Sequence, residues 1–184
     1  GSVTHEHPAM AWSPGANHWG VVWSRIEAGA SELQFRWVSQ DGVTMGGTVG
    51  VTSAVGVSNE PTLIWTGSEY GLTWIDARDG NREIYFVRLT TSGSKPGGTS
   101  DERLTLNLSC VSARPSVAWT GSEFGIAWYE VCSDPGDVWF TRVTAAGREV
   151  AGAERGTVVF TEGQTFPRLV WNGTSYAMVW LDDR

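Results

Sequence analysis

Positive charge is scarce in this chain of 184 residues. Thirteen lysines and arginines stand against twenty acidic side chains, a formal net charge of −7. A field of that sign repels phosphate backbones and no basic cluster offsets it, which argues against a nucleic-acid partner. Long apolar runs are also missing. None approaches the eighteen or so residues a helix needs to span a bilayer, so no transmembrane segment is expected. No leader peptide opens the sequence, and Gly1-Ser2 reads as a cloning remnant, which leaves secretion open. Cysteine is down to Cys110 and Cys132. Two cysteines suit one disulfide or two separate thiols, and two alone make no zinc site. Few lysines beside abundant tryptophan, glycine and threonine suit an extracellular protein.

What is plentiful is tryptophan, eleven in all, within a composition that is 41% apolar. That is ample for a core and excludes disorder as a general state. The tryptophans follow a period. Pro8, Pro61, Pro115 and Pro167 recur at spacings of 53, 54 and 52 residues. Four positions after each proline stands Trp12, Trp65, Trp119 or Trp171. An aromatic-small pair then leads to a second tryptophan: Trp19-Gly20 to Trp23, Tyr70-Gly71 to Trp74, Phe124-Gly125 to Trp128, and Tyr176-Ala177 to Trp180. Side chains repeated at a fixed period belong to a core, since a catalytic residue has no reason to appear four times. The eight tryptophans on these two positions are therefore predicted core residues.

Each repeat reads as four short strands. The first starts at the proline, where a missing N–H is tolerated, and ends in a glycine turn such as Thr66-Gly67-Ser68. The second is the aromatic-glycine strand, whose small residue lets a neighbouring ring lie on the backbone. The third covers residues 32–39, 83–90 and 137–144, apolar on both faces, and the fourth is expected over 48–52, 102–106 and 156–160. Residues 2–4 read as a further outer strand. Four antiparallel strands per fifty-odd residues, with no amphipathic helix, predict an all-β fold: a β-propeller of four-stranded blades of about 53 residues, with about three and a half blades in the chain. The array forms one domain over residues 1–184, with blades at 8–60, 61–114 and 115–166 and a partial blade at 167–184.

Residues 70–89, YGLTWIDARDGNREIYFVRL, resemble the blade repeat of large secreted or cell-surface bacterial β-propellers. There an aromatic-Gly-x-x-Trp strand leads through Asp-x-Arg-Asp-Gly-Asn into Glu-Ile-Tyr-Phe. The first and third repeats replace that turn, with residues 25–30 and 130–136 respectively. The resemblance implies a fold and a secreted or cell-surface location, and no particular activity.

Strand direction puts the links between second and third strands at the same end as the links between repeats. Asp76, Asp79, Asn81 and Glu83 gather there, with Glu130 at the Asp76 position of the third repeat. The plainer reading is turn chemistry and pairing with Arg78, Arg88 or Arg142, with calcium held by the oxygen-rich spacing as the alternative, and as a binding face the group favours a hydroxyl-rich or basic partner. No other cofactor is indicated. Cys110 and Cys132 fall at the same end of one repeat, which predicts a disulfide between them. His5 and His7 offer two imidazoles on one side of an extended segment, though no third zinc ligand is in view. The run 68–74, SEYGLTW, resembles the Asp-box of sialidases but is one residue short and has Tyr70 in place of its aspartate. Neither a carboxylate pair nor a nucleophile elbow is identifiable. The expected function is therefore a non-catalytic recognition or adhesion module. It would bind a protein or glycan through loops at the inter-repeat end, and self-association would complete its ring. The alternative is a portion of a sialidase-like or other glycoside-hydrolase propeller whose catalytic residues lie outside this sequence.

Overall fold

The computed structural model describes residues 2–97, 99–132, 136–153, 155–156 and 163–182, and every regular element among them is a strand. Four antiparallel sheets follow in chain order. The first holds β1 (Val3–Ser13), β2 (His18–Glu27), β3 (Ala30–Ser39) and β4 (Thr44–Gly50). The second holds β5 (Ser58–Trp65), β6 (Tyr70–Asp76), β7 (Glu83–Leu89) and β8 (Glu102–Arg103). The third holds β9 (Val111–Trp119), β10 (Glu123–Val131), β11 (Asp137–Thr144) and β12 (Arg155–Gly156), and the fourth holds β13 (Gln164–Trp171) and β14 (Tyr176–Asp182). Each sheet is a meander, and the first strands β1, β5, β9 and β13 contact one another in succession. The result is an all-β, propeller-like array.

Three apolar layers join the sheets, one between each consecutive pair. The aromatic-glycine pair is what seats them. A Cβ on Gly20 would lie 2.6 Å from the Tyr70 ring, one on Gly71 2.4 Å from Phe124, and one on Gly125 2.4 Å from Tyr176. The ring of each sheet thus rests on bare backbone of the sheet before it. The same rings meet the first tryptophan of their own repeat edge-on or tilted: Trp65 lies 4.8 Å from Tyr70, Trp119 4.4 Å from Phe124, and Trp171 5.0 Å from Tyr176. Trp12 meets Trp19 in the same way at 5.0 Å. Of the second tryptophans, Trp74 and Trp128 are fully buried, and their indole N–H groups reach Asp76 (2.8 Å) and Glu130 (3.3 Å). Trp23 and Trp180 are only partly covered. Trp23 lies on the face of the first sheet away from the second, and Trp180 belongs to a two-stranded sheet.

Three expected boundaries need correction. The first strands begin three to five residues before the proline, and the ladder slips at His7-Pro8, Glu60-Pro61, Arg114-Pro115 and Phe166-Pro167. A bulge absorbs the missing proline donor, so pairing resumes on both sides. Val3 and Thr4 pair with Glu27 and Ile26, which makes them the start of β1 and not a separate outer strand. The outer strand β4 runs over 44–50 and β8 over only two residues, and beyond each a side chain takes over the ladder: Leu33 N donates to Thr52 Oγ1 (2.8 Å) and Ile84 N to Thr105 Oγ1 (2.9 Å). Residues 157–160 of the third expected outer strand lie outside the described residues. Among the described residues no helix is long and apolar enough to cross a membrane.

Candidate functional site

The acidic residues singled out from the sequence do lie at one end, but their oxygens are already engaged. Asp76 is buried and accepts from Trp74 Nε1, Ser58 Oγ (3.0 Å), Arg78 N (2.9 Å) and Arg78 Nη2 (2.6 Å). Burial pushes its carboxyl up, and the Arg78 and Trp74 donors outweigh this and hold it below the usual carboxylate range. Glu83 is buried against Arg103 (2.9 Å) and Thr105, and Glu130 against Ser112 (3.1 Å) and Trp128. Asp79 is more exposed, yet it takes the Tyr85 hydroxyl and lies 3.3 Å from Arg103. Asn81 donates to the carbonyls of Asn107 (3.1 Å) and Cys110 (2.6 Å). These five side chains brace the turn after β6 and its counterpart against the inter-repeat links. Arg103, which the sequence reading missed, is shared by Asp79 and Glu83, while Asp76 takes Arg78. Arg88 and Arg142 instead pair with Glu69 and Glu123.

Cys110 and Cys132 form the expected disulfide, beside Glu130. With both sulfurs oxidised, that trio offers a cation no thiolate. His5 and His7 do not converge. The bulge turns His7 toward a cavity at the axis, while His5 accepts from Trp23 Nε1 (2.9 Å) on the outer face of the first sheet.

The axial cavity was not anticipated. It measures about 340 Å³ and is lined by His7, Glu60, Arg114, Arg168 and the repeat prolines Pro8, Pro61 and Pro115. Three of those side chains, with Phe166, are the residues before the four prolines, and all four hold positive φ: 50° at His7, 49° at Glu60, 56° at Arg114 and 55° at Phe166. A residue before proline ordinarily takes extended backbone, and left-handed geometry without glycine is strained. The bulge imposes it four times over and brings three unlike side chains, His7, Glu60 and Arg114, to the cavity wall. Glu60 bridges two sheets: its Oε2 accepts Arg114 N (3.0 Å) and its Oε1 lies 3.4 Å from Arg114 Nη1. Arg114 in turn covers the Phe166 ring at 4.6 Å. Ser24 Oγ donates to Asn59 Oδ1 (2.7 Å), which accepts Glu60 N (2.8 Å) and fixes the base of the bulge. Register places the site nearer the inter-repeat end, since Ser58 and Asn59 just before it face Asp76 and Ile75. The sequence signal was available: an invariant proline preceded by a residue that changes chemistry in every repeat.

No family model matches this chain, and no curated protein sequence matches it. Solved structures do share its architecture. An endo-arabinase from Bacteroides thetaiotaomicron superposes with a TM-score of 0.60 at 11% identity, over 96% of this chain and 74% of that one. A structure from the GH130 family of mannoside phosphorylases, described as containing glycoside hydrolases that target β-1,2-mannosidic linkages in Candida mannan, gives 0.58 at 10% identity. That match covers 97% of this chain and 60% of the other. At such identities the likeness is one of fold.

Proposed function

We propose that this chain is a non-catalytic recognition module, secreted or displayed at a cell surface, that binds a glycan in the axial mouth at its inter-repeat end. The observation that carries this reading is the set of four pre-proline residues, which presents a carboxylate, two cation-forming side chains and an aromatic ring from an otherwise repetitive scaffold. A rigid frame carrying chemically varied positions is how recognition surfaces are built. Arginine and carboxylate groups hydrogen-bond vicinal hydroxyls, and Phe166 offers an apolar ring face. The propeller-like neighbours act on glycans, which supports the ligand class by analogy alone. The resemblance of residues 70–89 to blades of secreted bacterial propellers supports the location, as does the disulfide.

Glycoside hydrolysis ordinarily needs two carboxylates flanking the scissile bond. Among the described residues the axial cavity is lined by a single one, Glu60, and it is tied to Arg114. That favours binding over turnover. The fold likeness favours a second reading, in which these sheets belong to a glycoside-acting propeller whose acid–base pair is supplied by other residues. Glycan-array binding followed by reducing-sugar release separates the two. Binding without release, lost in Arg114→Ala and Phe166→Ala, supports the module; release of reducing ends supports the enzyme. Binding retained in both variants sinks the axial assignment.

A further inference from the structure

We infer that the glycan bound at the axis is acidic, with a carboxylate-bearing sugar seated on Arg168. The inference rests on the axial site proposed above and adds its charge selectivity. The cavity is lined by two guanidinium groups, Arg114 and Arg168, and the imidazole of His7, against one carboxylate. Glu60 and Arg114 neutralise each other, and Arg114 is further occupied by the Phe166 ring. Arg168 makes no ion pair with any described residue; one amino group donates to the carbonyl of Pro167 (3.1 Å), and the side chain is otherwise exposed to the cavity mouth. Arg25, Arg78, Arg88, Arg103, Arg142 and Arg148 all have carboxylate partners, and Arg36 and Arg82, which like Arg168 pair with no carboxylate among the described residues, do not line this cavity. An uncompensated guanidinium at the axis of a chain with net charge −7 is thus a local exception to its overall field. A guanidinium fork meets a planar carboxylate with two parallel hydrogen bonds, a geometry that neutral hydroxyls do not reproduce.

The arrangement also sets the pose. Phe166 and Arg168 flank Pro167, on β13, so a pyranose ring lying by Phe166 has its carboxylate within reach of the neighbouring guanidinium. Glu60, on β5 across the mouth, is held by Arg114 and adds no net charge there, so the charge preference of the site is set by Arg168.

The probe is a galacturonate tetrasaccharide, compared with the same oligosaccharide fully methyl-esterified, by titration calorimetry on the whole chain. The acidic form should bind on the order of tenfold or more tightly than the ester, as expected for loss of a charge-assisted pair, and its affinity should fall with salt. Arg168→Gln should abolish that preference, whereas Arg148→Gln, an exposed arginine outside the cavity, should keep it. Thermal unfolding of both variants checks that the fold is retained. Equal binding of acid and ester overturns the charge selectivity while leaving a glycan module standing. A preference that survives Arg168→Gln overturns the assignment to this guanidinium. Binding of neither form, with glycans bound by the array, overturns the acidic-ligand inference; an empty array overturns the module and this inference with it.

Discussion

Gly71 is bare because the Phe124 ring occupies the place of a methyl group. Gly71→Ala should cost about 1–3 kcal/mol by overpacking, read as a lower urea midpoint, whereas Gly15→Ala, with open space around it, should change stability by less than about 0.5 kcal/mol. Asp76 illustrates a different constraint. Its carboxylate is buried and its folded-state affinity for a proton is lowered, so its contribution is present at neutral pH and lost as pH falls through the unfolded carboxyl range near 4 and below. Asp76→Asn should therefore destabilise by roughly 3 kcal/mol at pH 7 and flatten the acid side of the stability profile. Equal losses at pH 7 and pH 3 would show that the carboxylate charge is not what matters. Trp74→Ala should cost roughly 3–5 kcal/mol, since it empties a fully buried site and leaves Asp76 without its indole donor.

Among the elements, the links at the inter-repeat end are braced differently from sheet to sheet. In the second sheet Asn81 ties the corresponding turn to the link before β9, through carbonyls of Asn107 and Cys110. In the third sheet a covalent bond from Cys110 to Cys132 serves that end. Alkylation of the denatured protein without reductant should add no mass, and two adducts would refute the bridge. Removing it by Cys132→Ser should lower stability by about 3 kcal/mol in the chain-entropy model, with the sheets otherwise retained. Circular dichroism and denaturant titration report both effects.

At the scale of the whole molecule, each internal sheet face is covered by a neighbour, while two outer faces are left uncovered among the described residues. The first sheet shows Met10 and the partly covered Trp23, and the last shows Val170, Val179 and Leu181, each more than half exposed. Apolar faces of this kind, with a strand edge beside them, favour association. Light scattering of the isolated chain should show a mass that rises with concentration, and Val179→Lys with Leu181→Lys should return it toward the monomer. A strictly monomeric wild type would remove self-association from the reading. Ala177 adds a steric condition: it stands where the inner sheets have glycine, so a ring seated there must shift to clear its methyl.

The sequence determined the repeat, the strand order and the disulfide end, because burial on both faces of a sheet imposes a period that substitution cannot erase. Trp74, Gly71 and Cys110 were legible for that reason: each acts through packing or a bond that recurs or pairs along the chain. The axis was not. The first strands were expected to begin at the prolines, and only the slipped registers of β1, β5 and β9 bring His7, Glu60 and Arg114 to a common cavity. Pairing of the turn acids with Arg78 could be read from the chain, but Arg103 and Thr105 could not, since they reach Glu83 from twenty and twenty-two residues away. Periodicity along a chain reports which side chains are buried. Which polar groups satisfy one another, and which are left facing a ligand, is decided by distances that exist only once the sheets are stacked.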